Sequence, residues 1–476
     1  MSLVESVQVG PRPVEQLRPV IGAEREARLT GAAREFRALL GDRTVWNISS
    51  TAVGGGVAEM LHMLLGYVRD LDVASRWMVI TGDAEFFLIT KRLHNQIHGE
   101  EAGGPLSAAD AEHYSQMLSA NAAELREHIR PGDLVLLHDP QTAGLTEELT
   151  RAGALVAWRC HIGVDWQNAA TEAAWSFLRP HLAQARGYVF TRREYAPSWV
   201  PPQLISVIPP SIDPFSPKNE FLDDATVRGI LSHIGILDGT ASGDPSGPAS
   251  FRRGDGGTGQ VSRSAEVSGD SRPGPGDQLV VQVSRWDKLK DMAGVMQGFA
   301  DHVAADGDGY LVLAGPAVAG VTDDPEGAAV FAECLLRWRN LPSAARARIL
   351  LATLPLDDPD ENAAMVNALQ RHASVIVQKS LAEGFGLTVA EGMWKGRPVV
   401  GSAVGGIIDQ IRDGTGILLP DPRDLTAFGA AVRSLLDHPE AADRMGEAAQ
   451  AYVTENYVGD RHLLRYERML SGLLLA

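Results

Sequence analysis

This chain predicts an α/β protein built from two doubly wound parallel-sheet domains, on three observations. Two series of short apolar strands alternate with amphipathic segments, the pattern of parallel sheets covered by helices. The length, 476 residues, exceeds what one hydrophobic core usually supports. Glycine-rich turns stand between an apolar strand and a helix in both halves, at Gly54-Gly55-Gly56 and at Gly384-Phe385-Gly386.

The elements follow in order. Residues 1–40 read as an N-terminal extension. A first domain, 41–215, takes strands from 44–49, 76–81, 134–139, 154–161, 187–191 and 206–210. A second, 216–458, takes them from 279–285, 310–315, 348–354, 373–378, 398–404 and 415–420. Near the start of the second domain, 239–276 is rich in Gly, Ser, Asp, Arg and Pro, with almost no large apolar side chains. Such a stretch cannot bury enough surface to offset its ordering entropy, so a disordered insertion, dispensable for chemistry, is expected. At the end, 459–476 carries apolar residues at helical spacing, with Leu463, Leu464, Met469 and Leu470 on one face, as a closing core helix would.

Hydrophobic residues at 45% and charged residues at 22% are globular proportions. No apolar run reaches the roughly 18 residues of a membrane span, and the start lacks a basic segment followed by an apolar core. A cytoplasmic protein is expected. The net charge of −17 argues against general binding to nucleic acid or anionic lipid, so any phosphate site must be local. Two cysteines, Cys160 and Cys334, are too few for a disulfide framework or a thiolate zinc site, and read as reduced, small apolar groups.

The chemistry centres on Ser380-Leu-Ala-Glu383-Gly384-Phe385-Gly386-Leu387-Thr-Val-Ala-Glu391, directly after an apolar strand. A turn exposing N–H groups at a helix start attracts a diphosphate, while Glu383 and Glu391 can accept hydrogen bonds from sugar hydroxyls. Capping alone would account for two acids near a helix start. It does not account for Gly384 and Gly386, which let a ligand approach the backbone, nor for Gly405-Gly406 after the next strand. Arg285 and Lys290 leave the carboxyl end of the strand at 279–285, where open α/β sheets bind ligands, and two cations there can neutralise a departing diphosphate. The combination predicts a nucleotide-sugar site.

In the first domain, Gly54, Gly55 and Gly56 open a helix after the first strand and offer unblocked N–H groups to a phosphate or sugar oxygen. The spacing is neither that of a dinucleotide fold nor that of a P-loop. Four histidines, His94, His98, His138 and His161, stand near strand ends or ligand-facing segments. His138 and His161 end strands on the ligand side, and with Asp139 and Arg159 they make a polar wall suited to a sugar. No compact metal-ligand set is evident, and no metal or other cofactor is expected.

Together these residues resemble the retaining glycosyltransferases of family 4, and within them the trehalose glycosyltransferring synthases. The likeness rests on the paired glutamates; on Ser50-Thr51-Ala-Val-Gly54-Gly55-Gly56-Val-Ala-Glu59; on Glu85-Phe86-Phe87 with Thr90-Lys91 and His94-Asn95; on His138-Asp139-Pro140-Gln141 and Trp158-Arg159-Cys160-His161; and on Ser211-Ile212-Asp213, Ser284-Arg285 and Asp323-Asp324-Pro-Glu326-Gly327. It covers nearly the whole chain outside 239–276. It implies the GT-B fold, two Rossmann-like domains facing across a cleft, with the C-terminal helix 459–476 returning to the first. It also implies transfer of glucose from ADP-, UDP- or GDP-glucose to glucose, forming trehalose, and a homodimer. In that likeness Arg285 and Lys290 contact the diphosphate and Glu383 the donor sugar, beside the N–H groups of Gly384, Phe385, Gly386 and Leu387. Glu391 contacts the ribose. His161, Arg159, His138, Lys91 and Asn95 fall where donor or acceptor glucose would be met. One departure stands out: the family's His-Ile-Asp is here His161-Ile-Gly163, and Asp165 follows two residues later.

No side chain reads as a protein nucleophile, so retention is expected by attack on the face the leaving group departs from. The alternatives are a trehalose phosphorylase, a family 4 transferase with another acceptor, and a non-catalytic nucleotide-sugar sensor.

Overall fold

The computed structural model describes residues 2–53, 55–101, 104–238, 249–304, 309–318 and 325–476. The chain divides into two compact units, one of Met1–Ser211 with Tyr457–Ala476, the other of Ile212–Asn456. It thus crosses after 211 and returns after 456, somewhat before the expected boundaries of 215 and 458.

Unit 1 holds a seven-stranded sheet of β1 (Val4–Val7), β2 (Val45–Ser49), β3 (Ser75–Ile80), β4 (Leu134–His138), β5 (Leu155–Cys160), β6 (Gly187–Phe190) and β7 (Ile205–Val207). Their order is β1-β3-β2-β4-β5-β6-β7, parallel except for β1. Strands β2 and β4 are buried along their whole length, because helices cover both faces of the sheet. The extension expected over 1–40 is instead part of this unit. Val4–Val7 pairs antiparallel with β3, and the helix Arg18–Leu40 packs against the C-terminal helix Gly459–Leu475. Arg25 holds that contact, its Nε and Nη2 donating to the two oxygens of fully buried Asp460 at 2.9 and 2.7 Å. The C-terminal helix therefore buries Asp460 and His462 beside Leu463, Leu470 and Leu473, while Leu464 and Met469 are only half-buried.

Unit 2 carries β8 (Ser250–Arg252), β9 (Thr258–Gln260), β10 (Glu266–Ser268), β11 (Leu279–Val283), β12 (Tyr310–Pro316), β13 (Ile349–Leu354), β14 (Val375–Gln378), β15 (Val399–Ser402) and β16 (Ile417–Leu419). The main sheet runs β10-β13-β12-β11-β14-β15-β16, parallel except for β10, and β8 pairs with β9 in a separate hairpin.

Disorder over 239–276 is corrected for its larger part. Residues 239–248 lie outside the described residues, but 249–276 is built into unit 2. Phe251 and Val261 are buried, and Gly259 admits the Phe251 ring, since a Cβ there would stand 2.5 Å from Cζ. Pairing of β10 with β13 and a set of charged contacts add to the anchorage. Arg253 makes a two-pronged contact with Asp358 at 3.1 and 2.6 Å, and Glu361 accepts from the backbone N–H groups of Ser262 and Arg263 at 2.6 and 2.7 Å. A segment poor in apolar side chains is here held by charge at the start of the helix Pro359–His372.

Candidate active site

In the unit 2 sheet, strand order reverses between β11 and β14, and ligands of open α/β sheets bind outside the carboxyl ends of the strands at such a point. Lys290 follows β11 and Glu383 follows β14. Their side chains meet: Lys290 Nζ donates to Glu383 Oε2 at 2.6 Å, and Ser380 Oγ donates to the same oxygen at 3.3 Å. Lys290 is aimed from behind. Gln282 Nε2, on β11, donates to Lys290 O at 2.8 Å, and Asp291 takes a left-handed φ of 49°. Asp291 is paired with Lys379, which is fully buried and also donates to Pro422 O at 2.7 Å. Leu381 N–H donates to Leu289 O at 2.7 Å, tying the two loops together.

Arg285 is not part of that pair. Its side chain is 66% exposed and rests on Asp287 at 3.0 Å, so it remains accessible to an incoming anion. Gly386, with φ 82°, stands before the helix Leu387–Trp394 and brings no side chain to cap it, while Val389 N–H donates back to Gly386 O at 2.9 Å. Glu391 is buried in this helix, with Lys218 Nζ 3.8 Å from its Oε1. Lys395, also buried, donates to Asn219 Oδ1 at 3.0 Å and to Glu391 O at 3.2 Å. Burial pulls its amine down to about 7, against the upward pull of Glu391. Gly406 has a packing reason: a Cβ there would lie 2.7 Å from Phe385 Cα, and its N–H donates to Gly384 O at 3.2 Å.

In unit 1 the strand order reverses between β2 and β4. Ser49 ends β2; its hydroxyl accepts from Trp77 Nε1 at 2.8 Å and donates to Thr51 O at 2.9 Å, fixing the turn. Gly55 and Gly56 begin the helix Gly55–Asp70, whereas Gly54 lies outside the described residues, as do Asp323 and Asp324.

The polar wall forms a chain. Arg159 Nε lies 3.4 Å from His161 Nδ1, His161 Nε2 is 3.0 Å from His138 Nδ1, and His138 Nε2 is 3.2 Å from Asn47 Oδ1. A guanidinium only donates, so each imidazole in turn accepts at Nδ1 and donates at Nε2, which requires both to be neutral. Burial first, then the Arg159 charge, holds His138 down at about 3 and His161 well below its ordinary value. Asp139, with φ 63°, accepts from His161 N–H at 2.7 Å, and burial pushes its carboxyl up to about 6.

The C-terminal helix adds two residues that sequence reasoning did not single out. His462 Nδ1 lies 3.0 Å from Ser211 Oγ, and its ring stacks on Tyr466 at 5.1 Å. His462 Nε2, Tyr466 OH and Arg159 Nη2 are buried with no hydrogen-bond partner among the described residues, so they are available to water or ligand oxygens. Lys91, exposed, and Asn95, half-buried, stand on the helix Ala84–Ile97, and neither side chain hydrogen-bonds to the Arg159–His161–His138 chain among the described residues. Asn47 carried a readable signal, a polar residue inside an apolar strand. Lys379, Ser380 and Lys395 carried none beyond their closeness to the glutamates.

Among the described residues no three His, Cys, Asp or Glu side chains gather as a metal-ligand set, and no helix is long and apolar enough to cross a membrane. Cys160 and Cys334 are both free and buried.

Two doubly wound units, each with a polar set at its switch point, define a hexosyltransferase of the GT-B class. Residues 359–452 match the glycosyl transferases group 1 family, and the fold is that of an α,α-trehalose-phosphate synthase (UDP-forming) from Burkholderia vietnamiensis, with a TM-score of 0.65, 13% identity, and coverage of 92% of this chain and 99% of that one. Residues 47–197 match the trehalose synthase N-terminal domain family. The trehalose synthases of Pyrococcus horikoshii and Rubrobacter xylanophilus are 32% and 33% identical, each over 99% of this chain and over 99% and 100% of their own lengths. The chain belongs to the trehalose synthase family.

Proposed function

We propose that this enzyme transfers glucose with retention from a nucleoside diphosphate glucose to free glucose, forming α,α-trehalose. The observation that carries the reading is the Lys290–Glu383 contact at the β11/β14 switch point, beside a helix start left open by Gly386. Lys290 is a cation fixed where a diphosphate would lie, and Glu383 an acceptor fixed where a donor hydroxyl would lie. On donor binding, Lys290 and Arg285 take the phosphate oxygens, the N–H groups from Gly384 to Leu387 add to them, and Glu383 holds the sugar. Glu391 receives the ribose hydroxyls. In unit 1, Gly55 and Gly56 at the start of the helix Gly55–Asp70 are further N–H groups for a phosphate or sugar oxygen.

The bond from the anomeric carbon to the phosphate oxygen breaks, a bond to the acceptor hydroxyl oxygen forms on the same face, and the acceptor's proton passes to the departing phosphate. Preorganised cations stabilise charge as it develops on that leaving group. Unit 1 presents the complement: neutral imidazoles, Arg159, Asp139, Lys91 and Asn95 as hydrogen-bonding groups for glucose hydroxyls. The chemistry needs no metal or redox cofactor, because two side-chain cations carry the leaving-group charge. Sugars and nucleotide sugars are the partners.

The test is a matrix of ADP-, UDP- and GDP-glucose against glucose and other hexoses, with product linkage read by NMR. Trehalose from glucose and at least one donor is expected. No trehalose from any donor overturns the reading, and breakdown of trehalose that needs phosphate but no nucleotide would replace it with a phosphorylase.

A further inference from the structure

The loop after β5 is fastened at each step, yet it leaves one large aromatic side chain uncovered. Gly163 is buried against Tyr195; a Cβ there would stand 2.3 Å from the ring's Cγ, so the loop lies directly on that side chain. Two residues on, Asp165 pairs with Arg192, whose side chain is 7% exposed and whose guanidinium lies 5.7 Å from the Tyr195 ring centre. Asn168 ends the loop. Its Oδ1 caps the helix Ala169–Leu182 by accepting from Thr171 N–H at 3.0 Å, and its Nδ2 donates to Gly99 O at 2.9 Å. Gly99 has φ 84°, and a Cβ there would lie 2.2 Å from Trp166 Cη2, so one edge of the indole rests on bare backbone.

Despite these contacts Trp166 is 49% exposed, whereas Ile162 and Val164 of the same loop are buried. An indole serving only the core would be covered; this one rests an edge on Gly99 and keeps a broad apolar surface in water. A hexose has an apolar C–H face rimmed by hydroxyls, and an exposed aromatic ring with polar groups beside it fits both features. Polar side chains flank it in the chain, Asp165 on one side and the exposed Gln167 on the other. A carboxylate at 163 is excluded by Tyr195, and the loop's only acid is the one held by Arg192.

We infer that Trp166 is the stacking platform for the acceptor hexose, carried on a loop fastened by Gly163, Asp165 and Asn168. The inference rests on the proposed transfer to glucose. Removing an aromatic contact of this kind costs about tenfold in affinity. Trp166→Ala is therefore expected to raise the glucose KM about tenfold while donor KM stays within about twofold, and Trp166→Phe to recover most of the loss. An unchanged glucose KM in Trp166→Ala, or an equal rise in donor KM, overturns the assignment. A second arm needs no turnover: glucose should quench the intrinsic fluorescence of the unaltered protein more than that of Trp166→Phe, and identical quenching rejects the platform. Failure of the unaltered protein to make trehalose would count against the proposed reaction, and the fluorescence arm would still decide for or against Trp166.

Discussion

The two switch points solve different electrostatic problems with similar backbones. In unit 2 the ionic groups are charged and already matched: Lys290 with Glu383, Lys379 with Asp291, and Arg285, on the surface, with Asp287. In unit 1 the histidines are buried and neutral, ordered by one guanidinium through His161 and His138 to Asn47. Matched charges suit a ligand that brings its own charge and can exchange partners with them. Neutral, oriented donors and acceptors suit a ligand made of hydroxyls, since a fixed unmatched charge beside a sugar would favour water instead. The difference supports the proposal that unit 2 takes the diphosphate while unit 1 meets sugar hydroxyls.

The sharpest way to break that contrast is to remove a matched charge. Lys290→Ala and Glu383→Ala are each expected to lower kcat by about 10²–10³, the range for losing one preorganised transition-state contact, with unit 2 still folded by circular dichroism. Turnover close to that of the unaltered enzyme in both variants would remove the charge-handling role from unit 2.

A smaller effect should come from pH. The histidines of unit 1 have folded pKa values held down, His138 at about 3 and His161 and His462 well below normal, so the unfolded chain binds protons more readily than the fold does. Their contribution to stability is complete above about 6.5, the unfolded value, and is lost as pH falls below it, by about 1.4 kcal/mol per pH unit for each net proton. Asp139 has the opposite sign. Raised to about 6, it gains on protonation and offsets part of one histidine's loss. Hydrogen exchange between pH 6.5 and 4 should therefore show unit 1 amides opening before those of unit 2. Loss of protection beginning in unit 2 would contradict the neutral-cluster account.

The smallest expected change tests the floor of the sugar-side loop. Gly163→Ala places a methyl against Tyr195 and is expected to destabilise by about 1–3 kcal/mol, read as a lowered Tm, as overpacking usually does. A Tm equal to that of the unaltered protein would mean Tyr195 gives way freely.

Much of this was legible beforehand, and the parts that were not share a cause. The long buried strands announce themselves because both faces are covered and nearly every residue is apolar, as in β4. Glu383, Lys290 and the glycines were legible because ligand chemistry gathers at strand ends. The strands β8–β10 were missed because they lie in a stretch of Gly, Ser, Asp, Arg and Pro, and β1 because it pairs antiparallel at the sheet edge outside the alternating strand and helix pattern. Residues 249–276 misled because charge, rather than apolar area, anchors them, through partners about a hundred residues away such as Asp358 and Glu361. His462 was hidden by its leucine neighbours, since its hydrogen-bond partner Ser211 lies far along the chain.

The Arg25–Asp460 contact joins residues 435 positions apart. Its consequence lies in the order of synthesis. Residues 212–456 can complete unit 2 while unit 1, begun first, still lacks the helix that supplies Asp460 and His462. During translation the earlier-made half must wait, its helix Arg18–Leu40 uncovered and Arg25 without its carboxylate, until the last helix leaves the ribosome. Such a delay leaves apolar surface of unit 1 uncovered in the nascent chain after unit 2 has been able to close.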